Sequence, residues 1–266
     1  MNNPAGVSPG STGDSPWLQA STQVLVDDVS DPRLDDEALH HLFRVLRLRN
    51  GETVCASDGV GGWALCEFDG SKNLVTTGQD GLELPPEPRL SVGVALAKAS
   101  KPEMVVQKLT ELGIDRIVLF QARNSVARWD EAKVDRQIPR LRKIALEACA
   151  QSRRLHQPLV EFGDLGTLLG GHGTDGRRDD GDCNDGNVGA GVVLADAGGR
   201  PIRSTDTVVL IGPEGGWDPS EVTLGERISL GPTILRAETA AIAAATQMAA
   251  LRAGLLGESS QCHREC

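Results

Sequence analysis

The chain has 266 residues and a mass of 28.2 kDa, room for one or two ordinary domains; 39% hydrophobic and 24% charged residues suffice for packed cores and exclude global disorder. A formal charge of −10, from 37 acidic and 27 basic residues, argues at face value against a nucleic-acid partner, because phosphate binding is chiefly the work of Lys and Arg. With 3% aromatics and no Tyr, a broad base-stacking platform is hard to build.

Residues 1–20, rich in Pro, Gly, Ser and Asn, have the composition of a disordered leader. They lack the basic and apolar regions of a signal peptide, and no stretch of the chain approaches the roughly 20 apolar residues that cross a bilayer, so a cytoplasmic protein is expected. A small β-rich domain is predicted over 21–85, with a strand at Val24-Leu25-Val26, a short helix over 35–47, strands at 52–56 and 62–68 joined by Ser57-Asp58-Gly59-Val60-Gly61, and a further strand at 74–77. The segment Leu84-Pro85-Pro86-Glu87-Pro88 reads as a stiff connector.

Over 86–256 strands and helices alternate, the pattern of an α/β domain with a mostly parallel sheet. Strands are predicted at 90–95, 117–120, 159–162, 192–195, 208–211 and 227–230. Helices are predicted at 102–112, at 131–154 with a bend or restart at Pro139, from about Pro219, and at 238–251. The last is Ala-rich and smooth enough to approach another backbone closely, within this chain or across a dimer. Residues 163–191 hold ten glycines and six aspartates, which reads as a flexible insertion centred on 170–190, and 257–266 reads as a tail. The six cysteines form no CxxC pair, so neither zinc ribbon nor disulfide framework is indicated, and Cys262-His263-Arg264-Glu265-Cys266 lies at an end with no second ligand cluster.

Two segments carry chemistry. In Leu210-Ile211-Gly212-Pro213-Glu214-Gly215-Gly216-Trp217 an apolar strand runs straight into backbone with few side chains, at the strand end where open α/β folds bind ligands; an ordinary tight turn fits the same residues. No P-loop and no GxGxxG opens a βαβ unit, which removes support for ATP- or NAD-dependent chemistry. In Leu230-Gly231-Pro232-Thr233-Ile234-Leu235-Arg236-Ala237-Glu238 a second strand ends in Gly-Pro and delivers one Arg and one Glu to the start of the last helix. Glu238 suits the positive end of that helix better than it suits a catalytic base, whereas Arg236 has no equally simple structural role.

LIGPEGGW and LGPTILRAETAA together closely resemble the carboxyl-terminal motifs of the RsmE family of SPOUT RNA methyltransferases. The resemblance extends to His40-His41-Leu42-Phe43-Arg44-Val45-Leu46-Arg47, to Lys101-Pro102-Glu103-Met104 with Gln107-Lys108-Leu109-Thr110-Glu111-Leu112-Gly113, to Arg123-Asn124-Ser125-Val126, and to the segment from Ile144 to Arg154, in family order over about 23–255. Ala150 and Thr233 depart from the family, standing where Glu and Arg are frequent. The resemblance implies a C-terminal SPOUT domain with a deep trefoil knot and a small N-terminal PUA-like β-barrel. It implies S-adenosyl-L-methionine as cofactor, methylation of N3 of a uridine in 16S rRNA, naked or in the 30S subunit, and a homodimer.

On that resemblance Leu194, Ile211, Gly212, Pro213, Glu214, Gly215, Gly216, Leu230, Gly231, Leu235 and Arg236 are expected around the cofactor, and Arg236 and Glu238 in catalysis. Arg44, Arg47, Arg49, Lys98, Lys101, Arg123, Arg128, Arg153 and Arg154 are expected to meet RNA; each alone reads more readily as a solvated surface charge, and it is their grouping that points to RNA. A non-catalytic RNA-binding or ribosome-assembly module, or a SPOUT enzyme for another RNA, are the alternatives. The charge of −10 does not exclude RNA: residues 133–156 hold seven Lys or Arg against two acids, while 163–187 carry six acids against two arginines.

Overall fold

The computed structural model describes residues 15–97, 101–165 and 191–257; the expected leader up to residue 14, most of the Gly/Asp-rich insertion and the tail beyond 257 lie outside the described residues. Two compact units are present, one of residues up to Pro85 together with Cys149–Gln157, the other of Pro86–Ala148 and the chain from Pro158 onward.

In the first unit β1 (Thr22–Leu25) runs parallel to β2 (Thr53–Ser57), β2 pairs antiparallel with β3 (Gly62–Glu67), and β3 with β4 (Val75–Leu82). Strand β4 runs well past the predicted 74–77, because residues around Asp80 to Leu82 extend the ladder along β3. The β2–β3 turn is closed by Asp58, whose Oδ1 accepts the Val60 and Gly62 amides at 2.8 and 2.9 Å. Helix α1 (Asp36–His40) starts where the Asp35 carboxylate accepts the Ala38 amide at 2.6 Å. It stops short of the predicted 47 by widening into a π-turn over His41–Val45, with the Leu46 amide bonded back to the His41 carbonyl at 3.0 Å. Val24, Leu34, Leu42, Val54, Ala64 and Phe68 form the core.

The returning segment 149–157 belongs to this unit through its own bonds. Arg153 donates to the Ala20 and Ser21 carbonyls at 2.6 and 2.8 Å, Gln23 donates to the Arg154 carbonyl at 2.7 Å, and the Gln157 amide to the Gly59 carbonyl at 2.9 Å. The guanidinium of Arg153, expected at RNA, is instead committed to two backbone carbonyls.

The second unit is built on a six-stranded, all-parallel sheet in the order β10-β8-β9-β5-β6-β7, from β5 (Ser91–Ala95), β6 (Arg116–Phe120), β7 (Leu159–Gly163), β8 (Val192–Pro201), β9 (Val208–Ile211) and β10 (Glu226–Ser229). Parallel strands buried on both faces read as unbroken apolar runs, as Ile117 to Phe120 and Val208 to Ile211 do. Strand β8 is longer than predicted and irregular: β10 pairs first with Val193 and Leu194, then with Arg200 and Pro201, so residues 195–199 leave the ladder.

Helix α2 (Pro102–Glu111) buries Val105, Val106 and Leu109. Helix α3 (Glu131–Ser152) is continuous through Pro139, in contrast to the predicted restart; Ile138, Leu141, Ala145 and Ala148 are buried along one side and hold both halves to the core. Helix α4 (Ala237–Arg252) buries Ala240, Ala241, Ala244, Ala245 and Met248. Its last turn is fixed by Arg252, which donates to the buried Asp115 carboxylate at 2.6 Å and to the Gly113 carbonyl at 2.7 Å, while Asp115 also accepts the Leu90 amide at 2.9 Å. The helix predicted from Pro219 is reduced to a single 3-10 turn (Val222–Leu224): Asp218 and Glu221 cap its start, Glu221 accepting the Asp218 amide at 3.0 Å, but the chain turns extended at Gly225 and enters β10.

Candidate active site

With every strand parallel, the loops leaving β6, β8, β9 and β10 open at one edge of the sheet. Three of them are stitched together. The loop after β9 carries Gly212, Pro213, Glu214, Gly215 and Gly216 and closes on itself through the Gly216 amide to the Pro213 carbonyl at 2.9 Å. Gly216 holds φ +73°, a backbone that a side chain disfavours. Trp217 then stacks on Phe120, ring centroids 6.2 Å apart, and donates from Nε1 to the Ala195 carbonyl at 3.1 Å, the group that the irregularity of β8 releases. A Cβ on Gly212 would stand 2.9 Å from the Trp217 ring, so this position has room for backbone alone.

The loop after β6 joins through two side chains. Asn124 donates to the Gly216 carbonyl at 3.2 Å. Glu221, only 4% exposed, accepts the Arg123 amide at 2.9 Å on one oxygen and the Asp218 amide at 3.0 Å on the other. A buried carboxylate is tolerated when charge-assisted bonds satisfy it, and here they tie the β6 loop to the β9 loop. Asp218 accepts both the amide and the hydroxyl of Ser220, which holds its carboxyl below the usual carboxylate range. Ser125 is buried and its hydroxyl accepts the Ala122 amide at 3.1 Å, shaping the same loop.

The loop after β10 turns at Gly231, with Ser229 Oγ donating to the Gly231 carbonyl at 3.1 Å. A Cβ on Gly231 or Gly216 would meet nothing within 4 Å, so both lie against open space. Leu230 and Leu235 are half-buried and pack on the main core, Arg236 is exposed at the N-cap of α4, and Glu238 is half-buried in its first turn.

Leu194 and Ile211, expected around the cofactor, are 0% and 1% exposed; their side chains belong to the cores, so any ligand there meets their backbone only. Lys101, Arg123 and Arg128 are exposed on the second unit, Lys101 at the N-cap of α2. Arg44, Arg47 and Arg49 are exposed on the first unit, where Arg154 is half-buried; Lys98 lies outside the described residues. Sequence reasoning misses Asn124, Trp217 and Glu221 as loop ties. Trp217 and Asn124 do lie inside the family motifs, but Glu221 resembles any helix-start acid. Among the described residues no group of three or more His, Cys, Asp or Glu is placed to hold a metal.

A family model described as an RNA methyltransferase domain matches residues 85–249, and one described as an RNA methyltransferase PUA domain matches 34–76. Ribosomal RNA small subunit methyltransferase E of Mycobacterium bovis is 31% identical over 86% of this chain and 90% of its own length. A probable rRNA-methyltransferase from Porphyromonas gingivalis superposes with a TM-score of 0.67 at 25% identity, covering 88% of this chain and 100% of that one. A ribosomal RNA small subunit methyltransferase E from Neisseria gonorrhoeae, solved bound to S-adenosyl methionine, gives a TM-score of 0.67 at 21% identity over 86% of this chain and 97% of that one. With the parallel sheet, these matches bear out the expected fold class, an α/β SPOUT-type domain joined to a PUA-like N-terminal domain.

Proposed function

The chain belongs to the RsmE family of RNA methyltransferases, and on that premise we propose that it transfers a methyl group from S-adenosyl-L-methionine to N3 of a uridine in 16S rRNA. The observation that supports this reading is the stitched edge of the sheet, where the β9 loop, the β8 exit and the β6 loop are tied by hydrogen bonds into one glycine-lined rim.

That rim fits the cofactor. The open backbone at Gly216 and Gly231 admits a ligand without steric obstruction, and Gly212 is kept free of any side chain by Trp217. Backbone from 212 to 216 and from 230 to 231, with Pro213, Glu214 and Leu235 beside it, would hold the cofactor, which supplies a methyl group on a sulfonium sulfur. Positioning then contributes most of the rate, because the transfer is an in-line displacement.

Uridine N3 carries a proton and must lose it as the N3–carbon bond forms and the sulfur–carbon bond breaks. We assign Arg236 to stabilise the negative charge that develops on O2 or O4, since a fixed cation is worth most where charge appears during reaction. Glu238, in the first turn of α4, is assigned to take the proton. A base paired through N3 is unreactive, so the substrate is an unpaired or extruded uridine.

Residues 21–85 are proposed as the RNA-holding PUA-like domain, with the returning segment 149–157 packed into it, and the rest of 86–256 as the SPOUT domain. The partners proposed are 16S rRNA, naked or in the 30S subunit, and a second copy of the chain, with the cytoplasm as location. No helix among the described residues is long and apolar enough to cross a membrane. The test is methyl transfer from labelled cofactor to small-subunit RNA or particles lacking the modification; absence of transfer to either would overturn the reading.

A further inference from the structure

We propose that the first unit holds one unstacked RNA base in a cleft beside Phe43, separate from the rim at the sheet edge. The proposal rests on RNA being the substrate, and four observations converge on it. The chain has four Phe and four Trp, and Phe43 alone among them is exposed, at 53%; the other seven are buried or half-buried. Leaving one aromatic in water on a chain this poor in aromatics costs burial that the core would have used.

Phe43 also lines a cleft of about 310 Å³, together with Asp36, Leu39, His40, Arg44 and Gly70. Positions 36, 39, 40, 43 and 44 recur at helical spacing, so one face of α1 and its π-turn forms the wall. The volume sits at the low end of the roughly 300–1,000 Å³ typical of small-molecule sites, which suits a single planar base and not a folded partner.

The backbone is unusual at the same place. A π-turn replaces the expected helix over His41–Val45, and Arg47 just beyond holds φ +55°, uncommon for a residue with a side chain. Such features are enriched where a surface is shaped for contact.

Charge selects the occupant. No acid occurs from residue 38 to 51, while Arg44, Arg47 and Arg49 are exposed there. The one acid of the cleft, Asp36, is paired with Lys72 at 2.7 Å. An aromatic face with Arg44 beside it in the cleft, and Arg47 and Arg49 following in the chain, matches a base joined to phosphates, because every base offers a π-face and every linkage a negative charge.

The test uses the full chain with Phe43→Ala and Phe43→Trp, a single-stranded oligoribonucleotide, and unmodified small-subunit RNA. Phe43→Ala is expected to weaken RNA binding about tenfold, with cofactor affinity and turnover at saturating RNA unchanged. Phe43→Trp is expected to bind RNA as the native chain does, and its added emission to be quenched by the oligonucleotide. Native RNA affinity in Phe43→Ala, or bound RNA that leaves the new tryptophan unquenched, would overturn the proposal; if Phe43→Ala melts early, quenching in the Trp variant alone decides. Quenching in a protein that methylates no RNA would instead overturn the methyltransferase reading and leave the cleft standing.

Discussion

Arg236 stands exposed at the N-cap of α4, and its guanidinium makes no hydrogen bond or ion pair among the described residues, whereas Arg153, Arg200 and Arg252 are all committed to carbonyls or carboxylates. A cation without a structural duty is available to a substrate. Arg236→Ala is therefore expected to lower methyl transfer by about 100-fold or more, with the melting temperature unchanged and the cofactor dissociation constant within a few-fold of the native value. Near-native turnover in that variant would remove Arg236 from the mechanism.

The thiols make a second test at this scale. Burial pushes Cys55 up to about 12 and Cys66 and Cys149 up to about 11, so all three stay neutral in the folded protein at ordinary pH. Unfolded cysteine ionises near about 8.5. Their contribution to stability is therefore fully present below about 8.5 and is lost as pH rises toward those folded values. The urea midpoint is expected to fall between about pH 8.5 and 11, and to fall less in a Cys55→Ala variant.

Among the elements, the loops that meet at the sheet edge depend on Trp217, which ties the β9 loop to the β8 exit. Gly212→Ala places a methyl 2.9 Å from its ring, so Trp217 must shift from Phe120 and from the Ala195 carbonyl. Cofactor binding is expected to weaken about tenfold or more, with a change in tryptophan emission and a melting temperature lower by a few degrees. At the opposite edge, Arg252→Ala leaves Asp115 buried without its closest cation, and a loss of about 3 kcal/mol or more is expected in urea unfolding.

The strands of the parallel sheet are legible in the sequence because residues such as 117–120 and 208–211 are unbroken apolar runs with turn residues at their ends. The Gly-Pro strand ends mark both loops for the same reason. What escapes is long-range: Pro139 looks like a break, but a helix packed along Ile138 and Leu141 overrides it. Glu221 looks like a helix start, and one of its oxygens does cap the Asp218 amide, but the other serves an amide 98 residues earlier in the chain. The 149–157 return to the first unit likewise depends on partners more than a hundred residues away, at Ala20 and Gln23.

For the molecule as a whole, a net charge of −10 coexists with an RNA substrate because the charge is segregated. Exposed arginines at 44, 47 and 49 and at 123 and 128 stand apart in the sequence from the Asp-rich stretch at 163–187. RNA affinity is thus expected to fall steeply with salt, the log–log slope shrinking by about 0.7 for each arginine removed that contacts a phosphate on single-stranded substrate. The central claim is tested most directly by incubating the protein and labelled S-adenosyl-L-methionine with small-subunit RNA and with 30S particles that lack the modification, then identifying the labelled nucleoside by mass spectrometry. The expected product is 3-methyluridine at a single position; label in any other nucleoside, or in none, would contradict the claim.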